Sequence, residues 1–171
     1  PVVNACFVSF RGTFTARDIA FGFRSNLVHD TISSGRAHKG FLADYHALRQ
    51  TLFDALKTFN CMQTSKPVVL CGHSVGAALA LFAAVDLQNN NVHVHKSFVF
   101  GVPKIGDLEW TMQIPSHVVS VVNNADIAVT LPAWNGYSMR PEQNNSVQRI
   151  FVDNQSIEAN HSLLEAYHPI Q

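Results

Sequence analysis

The chain has 171 residues, of which 47% are hydrophobic and 14% are charged, and its 12 basic and 12 acidic side chains cancel. This length suits one domain over residues 1–171, and the apolar fraction supports a sizeable core, which excludes global disorder. The absence of a basic excess argues against nucleic-acid binding.

Strand-like and helix-like patterns alternate along the chain. The first strand is predicted over residues 2–10, which are rich in β-formers. Residues 14–38 show no sustained period and are predicted to be irregular, whereas apolar side chains three and four residues apart predict an amphipathic helix over 41–59. The later predicted elements are a strand at 67–71, a helix at 75–87, strands at 92–100 and 117–122, a loop at 133–146, a strand at 147–152 and a helix at 158–167. This alternation predicts an α/β fold with a mostly parallel sheet flanked by helices, and the apolar run at 67–71 is typical of a strand buried on both faces.

The three cysteines, Cys6, Cys61 and Cys71, cannot all pair within one chain. Two of them lie in apolar segments typical of buried strands, so we expect reduced thiols and an intracellular, cytoplasmic setting, with one disulfide and secretion as the alternative. No basic-then-apolar leader opens the sequence, and no apolar run approaches the roughly 20 residues that span a bilayer. The first and last residues, Pro1 and Gln171, suggest excision from a viral polyprotein as one hypothesis, with a trimmed chain as the alternative.

The strongest local motif is Gly72-His73-Ser74-Val75-Gly76, a G-x-S-x-G between a predicted strand and a predicted helix. A nucleophile elbow requires this context, because its tight turn leaves no room for side chains at the two glycines. The turn lifts the serine hydroxyl clear of the sheet and points a helix N-terminus at the reacting centre. The motif therefore predicts Ser74 as a nucleophile.

A serine nucleophile needs a base, which a carboxylate must orient, and in elbow enzymes the acid precedes the histidine along the chain. Asp126 follows a predicted strand after a short turn, at the carboxyl end where α/β sheets keep their active sites. Asp107 and Asp153 are its competitors. Beyond Asp126 the histidines are His161 and His168, and His161 is preferred because His168 precedes a proline at the end of the chain.

The developing oxyanion needs two preorganised donors. The N–H of Val75, directly after the nucleophile, is predicted to be one of them. The second is expected from the turn after the first strand, where Gly12 permits a sharp turn and Thr13 supplies an N–H and a hydroxyl. His93 and His95 share one face of a predicted strand, but no third ligand lies nearby, so we expect no metal site and no cofactor.

These motifs together resemble the class 3 lipases, the fungal and plant triacylglycerol-lipase group. The segments that carry the resemblance are Val8–Thr13 for the oxyanion loop, His38–Phe41 before the long helix, Val69–Ala80 for the elbow, Phe98–Asp107 for the next strand and turn, Val121–Asp126 with Leu131–Pro132 for the acid loop, and His161–Tyr167 for the final helix. The resemblance implies an α/β-hydrolase fold and a lipase, phospholipase or esterase. It also implies a triad of Ser74, Asp126 and His161, with Thr13 and Val75 at the oxyanion hole.

The chain also departs from the family pattern. The strands and helix that usually precede the oxyanion segment are missing, and Val75 and Ala77 replace the common Leu and Gly, which implies a minimal sheet. The family carries a lid after the oxyanion loop, and here the segment 14–28 would form it. Its apolar side chains able to face lipid are Phe14, Ile19, Phe21, Phe23 and Leu27. The alternative is that these side chains complete the small core.

The predicted reaction is acyl transfer to Ser74 and then to water, with His161 as general base and acid and Asp126 fixing its tautomer. The expected partners are a lipid or ester substrate and, transiently, a membrane surface. Three alternatives remain open: an acyltransferase that uses the same triad, a lipid-binding module that has lost catalysis, and a cysteine hydrolase built on Cys61 and His46.

Overall fold

The computed structural model describes residues 4–12, 26–62, 66–123, 126–133, 137 and 147–152. Its elements in chain order are β1 (Cys6–Phe10), β2 (Leu27–His29), β3 (Arg36–His38), α1 (Lys39–Thr58), β4 (Val68–His73), α2 (Val75–Asn89), β5 (Val94–Phe100), α3 (Leu108–Thr111), β6 (Val118–Asn123), a 3-10 helix (Ile127–Thr130) and β7 (Gln148–Val152). The predicted strands and helices that fall on described residues are all present, with shifts of a few residues at their ends. The predicted helix at 158–167 lies outside the described residues.

Five strands form one parallel sheet in the order β1-β4-β5-β6-β7. Phe10 lies beside Gly72 in the register, and Gly72 lies beside Val99. Because all five strands run the same way, their carboxyl ends share one edge of the sheet. The prediction of a parallel sheet flanked by helices is confirmed, and this edge carries the residues that follow β4 and β6.

Helix α2 packs against β1, β4, β5 and α1. Every residue from Val75 to Leu87 is buried, which its small alanine side chains permit. The buried Asp86 carboxylate, in the last turns of α2, accepts hydrogen bonds from Tyr45 Oη at 2.7 Å and from Arg49 Nε at 2.6 Å. These bonds compensate the cost of burying a charge, and they bind α1 to α2.

Helix α1 is amphipathic, as predicted. Its buried residues are Phe41, Leu42, Tyr45, Leu52 and Leu56. The N-cap is His38, whose Nδ1 accepts a hydrogen bond from the Phe41 N–H at 3.2 Å, so this histidine has a structural role. Leu48 and Phe59 fit the same apolar stripe but are 44% and 67% exposed.

The two faces of the sheet are not covered equally. Val68, Leu70 and Gly72 of β4 are buried, and the first two belong to the same core cluster as α2. Val69 and Cys71, on the other face of β4, are only half-buried. The prediction that this strand is buried on both faces was therefore wrong for the second face.

Strands β2 and β3 form an antiparallel hairpin where irregular chain was predicted. The His38 N–H donates to the Ile105 carbonyl at 2.8 Å, and Asp107 accepts hydrogen bonds from the Arg36 N–H and Nε, both at 3.1 Å. Burial alone raises the pKa of Asp107, but hydrogen bonds from the Trp110 and Arg36 N–H groups and from the Arg36 guanidinium outweigh it and lower the pKa below its ordinary value. Residues some 70 positions away thus hold the hairpin in place.

A disulfide bond joins Cys6 at the start of β1 to Cys61 after α1, and Cys71 is the free cysteine. The prediction of reduced thiols was therefore wrong. The two partners are 55 positions apart in the sequence, and the fold alone brings their Cα atoms within 6.0 Å. A disulfide-bonded sulfur is not a nucleophile, so the cysteine-hydrolase alternative is also wrong.

Candidate active site

The predicted nucleophile elbow falls where β4 ends at His73 and α2 begins at Val75. Between them Ser74 has φ +56° and ψ −123°, a left-handed conformation that residues with a side chain rarely adopt outside functional turns. The turn is fixed by the Ser74 N–H, which donates to the Phe100 carbonyl at 3.0 Å, and by the Ser74 carbonyl, which accepts from Ala77 N–H at 3.0 Å. This strand-turn-helix geometry is the one that the G-x-S-x-G motif predicted.

Close backbone contacts explain the two glycines of the motif. A Cβ on Gly72 would collide with the Gly76 carbonyl oxygen and would lie 2.7 Å from the Ala77 nitrogen. A Cβ on Gly76 would collide with the Phe10 carbonyl oxygen at the end of β1. The elbow therefore requires glycine at both positions for space.

Part of the predicted oxyanion hole lies on described residues. Val75 is the first residue of α2, and the first four N–H groups of an α-helix have no partner within the helix, so its N–H is suited to receive an anion. Gly12 lies against the elbow, because a Cβ there would be 2.6 Å from the His73 carbonyl oxygen and 3.6 Å from Ser74 Cβ. Gly12 thus lies beside Ser74, and Thr13 itself lies outside the described residues.

Asp126 lies three residues after β6, at the same edge of the sheet as Ser74. Its side chain is buried, and Oδ1 accepts a hydrogen bond from the Ala128 N–H at 2.9 Å at the start of the 3-10 helix. The Asp126 N–H donates to the Asn123 carbonyl at 3.0 Å, which ties the carboxylate to the end of β6. One strand, β5, separates β4 from β6, so these two strands lie about 10 Å apart in the sheet.

The other carboxylates that could serve as the acid either make structural hydrogen bonds, lie far from Ser74 or fall outside the described residues. Asp107 caps α3 through the Trp110 N–H at 3.0 Å and pairs with Arg36. Asp86 is held by α1 near the end of α2 that is remote from Ser74. Asp153 lies outside the described residues, and so do the histidine candidates and the predicted lid residues, which are His161, His168, Phe14, Ile19, Phe21 and Phe23. The roles given to these residues stay predictions.

The described part of the chain contains no group of three or more His, Cys, Asp or Glu side chains arranged to hold a metal ion. His93 lies just before β5, and His95 lies within it. Within the same residues, none of the helices has the length and apolar character needed to cross a membrane.

The chain is similar to known lipases. Residues 7–136 match the family described as Lipase (class 3). A secreted mono- and diacylglycerol lipase, LIP1, of Malassezia globosa is 30% identical over 98 residues, which cover 54% of this chain and 32% of the relative. A lipase of Rhizomucor miehei is 30% identical over 141 residues, which cover 74% of this chain and 37% of the relative. The chain therefore spans about a third of the length of these curated relatives.

Solved structures of lipases have the same fold. The native Rhizomucor miehei lipase propeptide complex aligns with a TM-score of 0.61 and 28% identity, covering 74% of this chain and 43% of that chain. A nonglycosylated LIP2 lipase of Yarrowia lipolytica aligns with a TM-score of 0.68 over 89% of this chain and 58% of that chain, at 18% identity, which shows the fold alone. The α/β-hydrolase fold and the matched family agree with the elbow geometry, and the chain belongs to the class 3 lipase family.

Proposed function

We propose that this protein is a serine carboxylic-ester hydrolase, a lipase, that forms an acyl-enzyme on Ser74. The observation that carries the proposal is the elbow: a serine with a left-handed backbone, enclosed by glycines 72 and 76, at the start of a buried helix. Family membership supports the same chemistry, since the relatives named above are lipases.

In the proposed mechanism His161 takes the proton of the Ser74 hydroxyl as the oxygen attacks the ester carbonyl. The N–H groups of Val75 and Thr13 stabilise the oxyanion, and loss of one such donor typically costs about 10²–10³ in kcat. His161 then protonates the leaving alcohol, and water releases the acid by the reverse sequence. Asp126, anchored by the 3-10 helix, orients the imidazole and stabilises its positive charge.

For the substrate we propose an acylglycerol, presented at the surface of an aggregate. The Malassezia relative is named a mono- and diacylglycerol lipase, and the exposed Ile127, next to Asp126, offers an apolar side chain at the active-site edge. Phospholipids are the alternative class of substrate.

We also propose that the protein works in an oxidising compartment, as a secreted enzyme would. The Cys6–Cys61 disulfide is the structural reason, because such bonds persist outside the reducing cytosol. The relatives named as secreted lipases agree with this proposal. It replaces the cytoplasmic setting inferred from the sequence.

The deciding experiment measures fatty-acid release by wild type, Ser74→Ala and Ser97→Ala from a diacylglycerol emulsion, phospholipid vesicles and a soluble short-chain ester. Ser97 is a matched control, because its side chain is also fully buried but lies within β5. We expect Ser74→Ala to lose at least about 10³-fold in kcat and Ser97→Ala to keep its activity. Hydrolysis retained in folded Ser74→Ala would refute the nucleophile.

The base is tested in the same assay with His161→Ala and His168→Ala, two histidines near the end of the chain. We expect the first variant to lose activity about as severely as Ser74→Ala and the second to remain active. The opposite result would move the base to His168. Products that carry an added alcohol in place of free acid would identify an acyltransferase.

A further inference from the structure

His38 is a fully buried histidine that the proposed mechanism does not use. It is the last residue of β3 and the N-cap of α1. Its Nδ1 accepts a hydrogen bond from the Phe41 N–H at 3.2 Å, and its ring stacks on the Phe41 ring with the centroids 3.9 Å apart. The imidazole accepts this bond only while Nδ1 is unprotonated, because a protonated histidine has N–H donors at both ring nitrogens.

Protonation of His38 would turn this cap into a repulsive contact. Nδ1 would carry an N–H directed at the Phe41 N–H, and the first turn of α1 would lose its cap. The new charge would also lie at a position closed to solvent, where an ion is costly. The Phe41 ring attracts a cation only weakly, and this attraction does not compensate both losses.

The nearby carboxylates are bonded to other groups or exposed to solvent. Asp107, at the N-cap of α3, pairs with Arg36, and Asp30 accepts a hydrogen bond from the indole N–H of α3 at 2.6 Å. The ring centroid of Tyr137 lies 5.7 Å from that of His38, and burial raises the pKa of this tyrosine, so its hydroxyl is uncharged where histidine titrates. The other titratable groups on the neighbouring segments are the buried Tyr45, the half-buried Lys104 and the exposed His29, Lys39, Asp44, His46 and Glu109.

The backbone connects His38 to the predicted acid loop. The His38 N–H donates to the Ile105 carbonyl at 2.8 Å, and the neighbouring Lys104 N–H donates to the Leu131 carbonyl at 2.7 Å. Leu131 is the C-cap of the 3-10 helix whose N-cap is Asp126. A displacement of β3 would therefore weaken the support of Asp126.

We propose that His38 is a pH-sensitive switch, which holds β3, α1 and the acid loop together only while its imidazole is neutral. On acidification through the range where histidine titrates, about pH 6.5, protonation opens this junction and lowers hydrolysis reversibly. The effect on hydrolysis rests on the proposed function, whereas the opening of the junction does not.

The first test replaces the histidine by a cap that cannot be protonated. His38→Asn keeps an acceptor for the Phe41 N–H, since asparagine is a favoured N-cap. His46→Asn is the matched control, because it removes an exposed histidine from α1. Urea titrations give the equilibrium constant for folding of each protein at about pH 7 and about pH 5. A histidine that is neutral when folded and titrates normally when unfolded lowers this constant about 25-fold between these two values.

We expect acidification to cost His38→Asn about 25-fold less in the folding constant than it costs wild type and His46→Asn. Equal losses in wild type and His38→Asn would overturn the proposal. NMR of wild type tests it without a substitution, and so decides the case in which His38→Asn does not fold. The His38 ring signal should stay constant until the native spectrum is lost. A His38 signal that shifts with pH in native protein as that of the exposed His46 does would overturn the proposal.

Hydrolysis of a soluble ester is measured over the same pH range. The predicted base His161 is present in both proteins, so the difference between wild type and His38→Asn reports on the switch. We expect kcat of His38→Asn to fall less on acidification than that of wild type. An unchanged pH profile of kcat, with the expected change in stability, would overturn the connection to the acid loop. The expected change in stability in a protein without hydrolysis would refute the proposed function alone.

Discussion

Removing the disulfide by the double substitution Cys6→Ala/Cys61→Ala should destabilise the protein by about 4 kcal/mol. The bond closes a loop with a sequence separation of 55. In the chain-entropy description, opening such a loop returns roughly 14 cal/mol/K to the unfolded chain, which is about 4 kcal/mol at 25 °C. Domains of this size usually have only about 5–15 kcal/mol of unfolding free energy, so the loss is a large fraction of the total.

Urea denaturation followed by circular dichroism measures this change. In a thermal melt of a chain of this length, a loss of about 4 kcal/mol corresponds to a drop of roughly 8–16 °C in Tm. Wild type treated with a reductant should show the same loss, since reduction opens the loop without removing a side chain. Cys71→Ala is the matched control, because this half-buried cysteine is free, and we expect it to cost less than about 1.5 kcal/mol.

The reasoning would be refuted if the free energy of unfolding of the double variant lay within about 1 kcal/mol of that of Cys71→Ala. It would also be refuted if reductant left the unfolding of wild type unchanged. Either result would mean that the two cysteines do not cross-link the native chain, or that the unfolded chain keeps the loop ends together. A redox assay of thiols in the native protein would separate these two explanations.

Three further predictions concern the elbow and acid stability. Gly12→Ala should lower kcat at least about tenfold with little change in KM, because the new Cβ would lie 2.6 Å from the His73 carbonyl oxygen. Steady-state kinetics check this prediction, and an unchanged kcat would contradict it. Asp107 has a lowered pKa, so its stabilisation is present above the ordinary value of 3.8 and is lost as the pH falls; Asp107→Asn should flatten that acid limb in urea titrations. Burial lowers the pKa of His117 from 6.5 to about 4. Between these two pH values the folded state binds fewer protons than the unfolded chain, so stability falls as the pH drops. His117→Gln should remove this part of the dependence of stability on pH, and an unchanged dependence would count against the prediction.

Local patterns were sufficient for the elbow and the sheet. The apolar run before Gly72 and the alanine-rich run after Gly76 have the composition of a buried strand and of a buried helix, and the glycines mark the turn between them. Each of these signals lies within about 20 residues, where sequence pattern and backbone geometry are directly linked. The spacing of apolar residues three and four apart predicted the apolar side of α1. It could not show that Leu48 and Phe59 are left exposed, because exposure depends on what packs against that side of the helix.

Long-range contacts were beyond the sequence pattern. The β2–β3 hairpin depends on Asp107, which binds Arg36 across 71 positions, and neither segment shows a strong period of its own. The disulfide depends on the approach of Cys6 to Cys61, which the spacing of three cysteines does not determine. The triad was inferred from chain order and resemblance, and since His161 lies outside the described residues its assignment awaits the variants above.

The elbow motif also fixes elements that lie outside the motif. Gly72 contacts Gly76, Gly76 contacts the Phe10 carbonyl at the end of β1, and Gly12 beyond it contacts His73. These three contacts join β4, α2 and β1 around Ser74, so the predicted oxyanion turn is positioned only if β1 is held in place. Among the described strands β1 has a single neighbour, and the disulfide secures its first residue. We therefore expect the loss of the cross-link to disturb the oxyanion turn before it unfolds the domain, since edge elements with few neighbours open at lower free energy than the core.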